Sequence, residues 1–447
     1  MQGTEPGKAL STELNRLSEI AARDSKVKFT SLAHLLTEDF LKDSYRELNH
    51  QAAAGVDQVS YVSYGKNLEQ NIADLVKRLK GNRYRACDTR RVWIPKPDGK
   101  QRPLGIPVLE DKIVQRGVAK ILSAIYEQDF LDVSYGFREG LSGHDALKAL
   151  ELSIMRDGVK YLIDVDIKGY FDHVDHKWLI RMIRERIVDR TILRLIGKWL
   201  RAGVLEEGKR VRNEVGVPQG GVISPLLANI YLHYVLDLWI TRKVRKELAG
   251  RLYLIRYGDD FVMGCTDRGD AQKVWEILPG RLKQFGLELS PEKSRLIEFG
   301  RRAYLRGKEK GNRLSTSDFL SFTHYMTRSR RAGVRLGRKT IGKRYRRTLV
   351  ALSDKLRNLR NLLPFRELYR YLCQVLKGYY NYYGFAGNMA TLNKFAYAAE
   401  RMWYKWINRR SQRKSFNWEE FQELRKRYPL PRPRIVKSYR WIYAVNL

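Results

Sequence analysis

The sequence predicts an α+β fold that ends in a helical, strongly basic third. Segments with helical apolar spacing and short β-branched strands both occur, with no fixed-period repeat or low-complexity linker among them. The 447 residues, 43% hydrophobic and 30% charged, suffice for two to four domains with a sizeable core. Charge is the third observation. Lys and Arg number 85 against 49 Asp and Glu, a net of +36, and the stretch from Arg301 to Leu447 holds 36 of those cations but only 8 acids. A domain boundary is therefore expected near Arg301.

Residues 1–30 are polar, with charges of both signs, and read as a loosely ordered segment with no secretory leader. Apolar spacing predicts helices from Leu32 to His50 and from Leu68 to Lys80, with a break at Ala52 to Gly55. Arg91 to Pro95 reads as a strand, Pro97-Asp98-Gly99 as a turn and Gln101 to Val108 as the returning strand, with Lys96, Lys100 and Arg102 around the tip. Helices are expected over Asp111–Tyr126, His144–Met155 and within Trp178–Leu200, and a strand over Tyr161–Ile167. Ser224-Pro225 reads as a helix start, Ser at the N-cap and Pro at the first helical position. The helix it opens places Leu226, Leu227, Ile230, Tyr231, Val235 and Leu238 on one stripe. Strands Arg251–Ile255 and Phe261–Gly264 flank Tyr257-Gly258-Asp259-Asp260.

Composition excludes several classes. The longest apolar stretch, Pro225 to Ile240, is interrupted by Asn229, His233 and Asp237, too short and too polar for a bilayer span. Cys87, Cys265 and Cys373 form no CxxC pair and no disulfide framework, which suits a reducing compartment and plain buried thiols. A +36 surface attracts polyanions, nucleic acid first among them. In the last third, Tyr379, Tyr380, Tyr382, Tyr383, Phe385, Trp403, Tyr404 and Trp406 interleave with basic residues. That pattern fits a surface that tracks a phosphate backbone and stacks bases. It also fits a helical bundle with an aromatic core, and spacing does not separate the two.

Acid residues stand where a soluble core would not want them. In YLIDVDIKGYFDHVDH, Asp164 and Asp166 alternate with Ile163, Val165 and Ile167, so both aspartates share one face of a strand. In RLYLIRYGDDFVMG, two apolar strands flank a tight turn with adjacent Asp259 and Asp260. Adjacent carboxylates repel, at a cost a bound divalent cation relieves. Phosphoryl transfer by two metals uses such groups to hold ions about 3.5–4 Å apart. A hydrophilic hairpin turn would explain the pair alone; the acid-bearing strand beside it favours the metal reading.

With both sites in view, the chain resembles a reverse transcriptase of the group II intron type, the reverse transcriptase/maturase family. The resemblance runs from about Leu32 to the C-terminus as an ordered series of blocks. These are Gly55-Val56-Asp57, then VWIPKPDGKQRPLGIPVLEDKIVQ from Val92, YGFREGLSGHDAL from Tyr135 and DVDIKGYFDHVDH from Asp164. GVPQGGVISPLLANIYL from Gly216, YGDD from Tyr257, GLELSPEKS from Gly286 and FLSFTHYMTR from Phe319 complete it. The resemblance implies an α+β right-hand polymerase. Its parts would be a polar N-terminal segment 1–30, fingers 31–155 with the hairpin 91–108, a palm 156–315, a primer-grip-like connection 316–335 and a basic helical thumb or maturase region 336–447.

By the same resemblance, Asp166, Asp259 and Asp260 are the catalytic, metal-holding aspartates, joined by the Ile167 carbonyl, and the cofactor is a pair of Mg²⁺ ions. Phe171, five residues after Asp166, would sit under the sugar and screen out a 2′-hydroxyl. Lys96 and Arg102 would grip the triphosphate, Gln219 support the incoming nucleotide, and Lys293 give a proton to the leaving pyrophosphate. The implied activity is RNA-directed DNA polymerisation from dNTPs, intron-encoded, with help to splicing and retrohoming. Implied partners are an RNA template–primer duplex, structured intron RNA and a DNA target, with no membrane; the implied location is the bacterial cytoplasm, in a nucleoid-associated ribonucleoprotein. Two alternatives stand beside it: a polymerase recruited to phage defence or repair, and an RNA-binding splicing maturase that no longer polymerises.

The chain departs from the family pattern in places. Gly258 stands where Ala is commoner, Ser321 replaces the Gly of FLGF, and Ala52-Ala53-Ala54 lacks a basic residue before Gly55. No cysteine/histidine nuclease segment follows Arg434, so members without an endonuclease are the expected kin. Gly337 to Arg344 nearly fits a P-loop, but Arg344 stands where Ser or Thr must bind magnesium; a basic strand and turn is expected instead. His173 and His176, beside Asp172 and Asp175, suggest a solvated turn opening a helix rather than a metal site.

Overall fold

The computed structural model describes residues 6–95, 101–206, 209–211, 215–312, 314–329, 333–410 and 416–444. Its strands are β1 (Thr89–Pro95), β2 (Gln101–Ile106), β3 (Tyr161–Asp166), β4 (Val204–Glu206), β5 (Lys209–Val211), β6 (Leu252–Tyr257), β7 (Asp260–Cys265), β8 (Arg295–Glu298), β9 (Thr316–Phe319), β10 (Phe322–Ser329) and β11 (Gly333–Thr340). They form three sheets, ordered β6-β7-β3-β8, β2-β1-β4-β5 and β11-β10-β9. The first is antiparallel throughout. Leu162, Ile163 and Val165 of β3 and Phe261, Val262 and Met263 of β7 are buried, so this sheet is covered on both faces.

Helices cover it. Leu109–Tyr126 is the central helix of the largest hydrophobic cluster, which extends from Ala21 to Leu287. On the other face Gly143–Met155 packs in a second cluster with β10, β11 and the C-terminal helix Tyr439–Tyr443. The third cluster is a bundle of Gly342–Leu359, Phe365–Tyr383, Met389–Ile407 and Trp418–Arg427. A buried ion pair, Arg338 to Glu151 at 2.6 Å, ties β11 to the helix Gly143–Met155, and Tyr443 donates to the same carboxylate at 2.8 Å.

Several expectations need correction. From Pro6 onward the N-terminal segment is not loosely ordered: Pro6–Arg23 is a helix, with Leu14, Leu17, Ile20 and Ala21 against the large core and the Ser18 hydroxyl donating to the Ala124 carbonyl at 2.9 Å. A narrow apolar stripe among many charges hid it. The aromatics of the last third are chiefly core. Tyr379, Tyr380, Phe385, Trp403 and Trp406 are buried, and Tyr379 stacks on Phe395 at 3.6 Å. Cations lie over the rim instead, as Arg360, Lys405 and Arg409 do over Trp406. Ser224 does not cap its helix; it opens the first turn, and its hydroxyl donates to the Pro218 carbonyl at 2.8 Å. The helix is not continuous either, because His233–Asp237 forms a π-helical turn before Leu238–Arg242 resumes. Cys87 is exposed, Cys265 buried and Cys373 in between.

Gly337–Thr340 lies in β11 and pairs with β10, so no phosphate-cradling loop forms there. Asp175 caps His176–Ile183 by accepting from the Trp178 N–H at 2.8 Å, and His173 and His176 donate to the carbonyls of Gly169 and Gly216. The turn expected at Pro97-Asp98-Gly99, with Lys96 and Lys100, lies outside the described residues. Gly55 packs within what would be 2.6–2.9 Å of a Cβ from the Val108 and Pro107 backbone. The loop before it is gripped from elsewhere, Lys112 donating to the Ala53 carbonyl and Arg90 to that of Ala54.

Candidate active site

Antiparallel register brings the aspartates together. Asp166, at the end of β3, is the partner of Asp260 at the start of β7, and Asp260 also pairs with Tyr257. Gly258-Asp259 is thus a two-residue turn, with Gly258 at φ +66°. A glycine supplies that left-handed conformation at no steric cost. The turn rests on the segment Tyr135-Gly136-Phe137. Tyr135 donates its N–H to the Arg256 carbonyl at 2.8 Å, and a Cβ on Gly136 would lie 2.3 Å from the Gly258 nitrogen.

The three aspartates open into a cleft of about 600 Å³, also lined by Lys293, Phe319 and Lys343. Lys293 Nζ sits 2.6 Å from Asp166 Oδ2, and the Asp166 N–H donates to the Ser294 hydroxyl at 3.1 Å. Asp164 shares the strand face but plays another part. It accepts from Ser317 at 2.6 Å and Arg295 at 3.0 Å, fastening β9 to β3. Ile167 continues β3 and bridges to Leu289.

Electrostatics mark the pair. Asp260 opens to the cleft, yet desolvation in its floor, then the charges of Asp259, Asp166 and Asp164, push its carboxyl up to about 7. Asp259 is also raised, by desolvation and by Asp166, with Arg102 and Arg256 opposing. Carboxylates that raise one another are what a divalent cation would relieve, and oxygen donors suit a hard cation. The residues therefore fit a metal. They do not form a finished cage: among the described residues no three His, Cys, Asp or Glu side chains already converge on one point, and Lys293 holds one Asp166 oxygen.

Arg102, Phe171 and Gln219 do not line this cleft. Arg102 lies on β2 opposite Ile94, exposed, and its charge reaches Asp259. Phe171 lies in the short helix Tyr170–His173, edge-on to Tyr170, and its carbonyl accepts from the Val217 N–H at 2.7 Å. Gln219 donates through Nε2 to Asp172 at 3.1 Å, and its carbonyl accepts from Gly105 at 2.7 Å. The loop 216–220 thus links the strand bearing Arg102 to the turn bearing Phe171. Lys96 lies outside the described residues.

Comparison with known proteins bears on this geometry. The model of the family described as "Reverse transcriptase (RNA-dependent DNA polymerase)" matches residues 94–324, a span that includes all three aspartates. The chain belongs to the reverse transcriptases. Group II intron-encoded protein LtrA of Lactococcus lactis subsp. cremoris is 30% identical over 478 residues, covering 87% of this chain and 76% of that protein. Protein YkfC of Escherichia coli (strain K12) is 36% identical over 318 residues, 63% of this chain and 83% of its own. An uncharacterized 91 kDa protein in cob intron of Schizosaccharomyces pombe is 27% identical over 450 residues, 86% of this chain and 55% of its own. The α+β architecture is accordingly that of a right-hand polymerase, and the chain is an RNA-directed DNA polymerase acting on a template and primer. Reverse transcriptases work with divalent metal ions. No helix among the described residues is long and apolar enough to cross a membrane.

Sequence reasoning missed Ser294, Ser317 and the support beneath the turn. Asn229 and Asp237 were visible as polar breaks in an apolar run, whereas Arg256 fell between the expected strand and the turn. Nothing in the sequence alone says that the three meet.

Proposed function

We propose that this reverse transcriptase is intron-encoded and extends primers with dNTPs at Asp166, Asp259 and Asp260, which hold two Mg²⁺ ions with the Ile167 carbonyl. The observation that carries the reading is the register placing Asp166 opposite Asp260 beside Asp259. Bound there, the ions would activate the primer 3′-hydroxyl and neutralise charge on the departing pyrophosphate. Lys96 and Arg102 hold the triphosphate, and Gln219 supports the incoming nucleotide from a loop bonded to both neighbouring elements. Phe171 screens the 2′ position. Lys293, paired with Asp166 through an exposed side chain, would give a proton to the leaving pyrophosphate.

On this reading residues 31–155 are fingers, 156–315 palm, 316–335 the primer-grip connection and 336–447 thumb or maturase region, with the helical bundle starting at Gly342. The basic thumb holds duplex by shape and backbone, and structured intron RNA in the same way. The intron association is supported by the likeness to the group II intron-encoded protein LtrA. Splicing help, a DNA target and a ribonucleoprotein in bacterial cytoplasm go with it. The test is primer extension on an RNA template with dNTPs and Mg²⁺, beside the Asp259→Ala/Asp260→Ala protein. Full-length cDNA from the wild type alone is expected. Extension by the variant would refute the site; tight RNA binding with no extension by either would favour a splicing cofactor.

A further inference from the structure

Beneath the aspartate turn lies a buried polar cluster that no part of the reaction above uses. Arg256, two residues before Gly258, is fully buried, as are Asp237 and Asn229. Its guanidinium donates through Nε and Nη2 to the two Asp237 oxygens at 2.8 and 2.6 Å. Nη1 donates to Asn229 Oδ1 and to the Gly258 carbonyl, both at 2.9 Å. Asn229 in turn donates through Nδ2 to the Gly136 carbonyl at 2.6 Å, on the segment against which Gly258 packs. One planar cation thus joins the helix, the catalytic turn and the platform under it.

Two features argue against a plain packing role. A buried ion pair is costly to desolvate, and apolar residues of similar volume commonly serve the fold as well or better. Asp237 is also the last residue of the π-helical turn His233–Asp237. Such turns are rare and are found mostly at functional sites. Here the turn shifts the helical phase where Asp237 faces the guanidinium fork. Asn229 lies two helical turns earlier, and the two side chains meet Arg256 from different directions.

We propose that Arg256, held by Asp237 and Asn229, is a positioning residue for catalysis: its hydrogen bond to the Gly258 carbonyl sets the direction in which Asp259 and Asp260 face the reacting groups. The inference rests on the active-site reading above. A fork is needed because one atom group must satisfy two carboxylate oxygens, an amide and a backbone carbonyl at fixed angles, which an ammonium does not do. The turn itself is a single Gly-Asp step between two strands, so small rotations of its peptide planes re-aim both carboxylates.

The experiment uses the full-length protein with an RNA template–primer. Three variants, Arg256→Met/Asp237→Leu, Arg256→Lys and Asp259→Ala, are compared in single-nucleotide incorporation, template–primer binding and urea unfolding. The apolar pair removes the buried charges but leaves the Asn229 Oδ1 and the Gly258 carbonyl without their donor, so it is expected to stay folded with a urea midpoint at or below wild type and to bind template–primer within about twofold of it, while kcat falls about 10²-fold, the effect of a misplacement near 1 Å. Arg256→Lys keeps a cation without the fork and is expected to lose kcat likewise. A folded apolar pair with wild-type kcat would overturn the proposal, as would wild-type kcat in Arg256→Lys. If the apolar pair does not fold, Arg256→Lys decides by the same readouts. Incorporation by Asp259→Ala would instead overturn the active-site assignment on which the inference stands.

Discussion

Gly136→Ala adds one methyl group outside the carboxylates and tests whether close backbone approach aims them. Gly136 has no left-handed φ, so its backbone tolerates a side chain and only space is at issue. The added Cβ would stand 2.3 Å from the Gly258 nitrogen, 2.8 Å from the Tyr257 carbonyl carbon and 3.1 Å from the Tyr257 Cα. Ordinary contacts of that kind need about 3.4 Å or more, so the turn must retreat by about 1 Å. Neither side yields easily. Gly136 is tethered through its carbonyl to Asn229, and Tyr135 through its N–H to Arg256. Overpacking of this sort costs about 1–3 kcal/mol of stability. A 1 Å misplacement of reacting groups costs about 10²-fold in rate, roughly 2.7 kcal/mol of barrier. Single-nucleotide incorporation under saturating dNTP should show that loss, with template–primer affinity unchanged. Gly378→Ala is the control, since nothing lies within 4 Å of the Cβ it would add in mid-helix. It should leave kcat alone and raise stability by about 0.5–1 kcal/mol. If Gly136→Ala incorporates within threefold of wild type while remaining folded, the contact does not aim the turn.

Three further outcomes follow from the same structure. Leu320 and Ser321 form a two-residue turn at φ +47° and +70°, closed by the Phe319–Phe322 pair. Ser321→Gly should relieve strain of about 1–2 kcal/mol, partly offset by the greater freedom of unfolded glycine, for a net gain of up to about 1 kcal/mol in urea unfolding; a lower midpoint would contradict this. His233 is buried and held at about 4 by desolvation, with nearby Arg256, Arg242 and Arg138 adding and Asp237 opposing. Below the unfolded value near 6.5 the unfolded chain binds a proton that the folded chain refuses, so stability falls as pH drops towards 4 and is unaffected above 6.5. At pH 5 the loss is about 2 kcal/mol, and buried His324 acts in the same direction; an equally steep acid limb in His233→Gln would exclude His233 as its source. Binding of duplex RNA should weaken about 10³–10⁵-fold between 50 and 200 mM salt if the basic thumb meets about 6–10 phosphates. A flat salt response would move the affinity from phosphates to other contacts.

Local chemistry made much of this molecule legible. The helix expected at Leu68–Lys80 forms over those very residues, and the β-branched run at Tyr161 forms β3. These segments have one period, one buried face and strong propensities, so tertiary context has nothing to overrule. The N-terminal helix was not legible because only a thin stripe of Leu14, Leu17, Ile20 and Ala21 is apolar. Its partner surface, the helix Leu109–Tyr126, comes from far along the chain. The aromatic last third stayed undecided for a different reason. Rings at helical spacing serve a core or a stacking surface equally well, and the choice falls to neighbouring helices such as the one that seats Phe395 on Tyr379.

The candidate site divides along the same line. Asp166, Asp259 and Asp260, the proposed catalytic aspartates, stood out in the chain because acids at strand ends suit a metal-using reaction whatever surrounds them, and the ordered blocks pointed to the same three. Asp164 shows the limit. By alternation it is equivalent to Asp166, yet it is spent on Ser317 and Arg295, residues that reach it only after β8 and β9 pair into place. Asp237 shows it more sharply. A stripe drawn at 3.6 residues per turn from Leu226 to Leu238 finds the buried Leu226, Leu227, Ile230, Tyr231 and Val235, but the π-helical turn His233–Asp237 interrupts the regular period. The acid at position 237 looks like a defect in an apolar helix under the regular period, and only the shifted one lays it against Arg256. Periodicity carries a sequence up to the place where the backbone leaves its period, and here the backbone leaves it beside the residue that holds the aspartate turn.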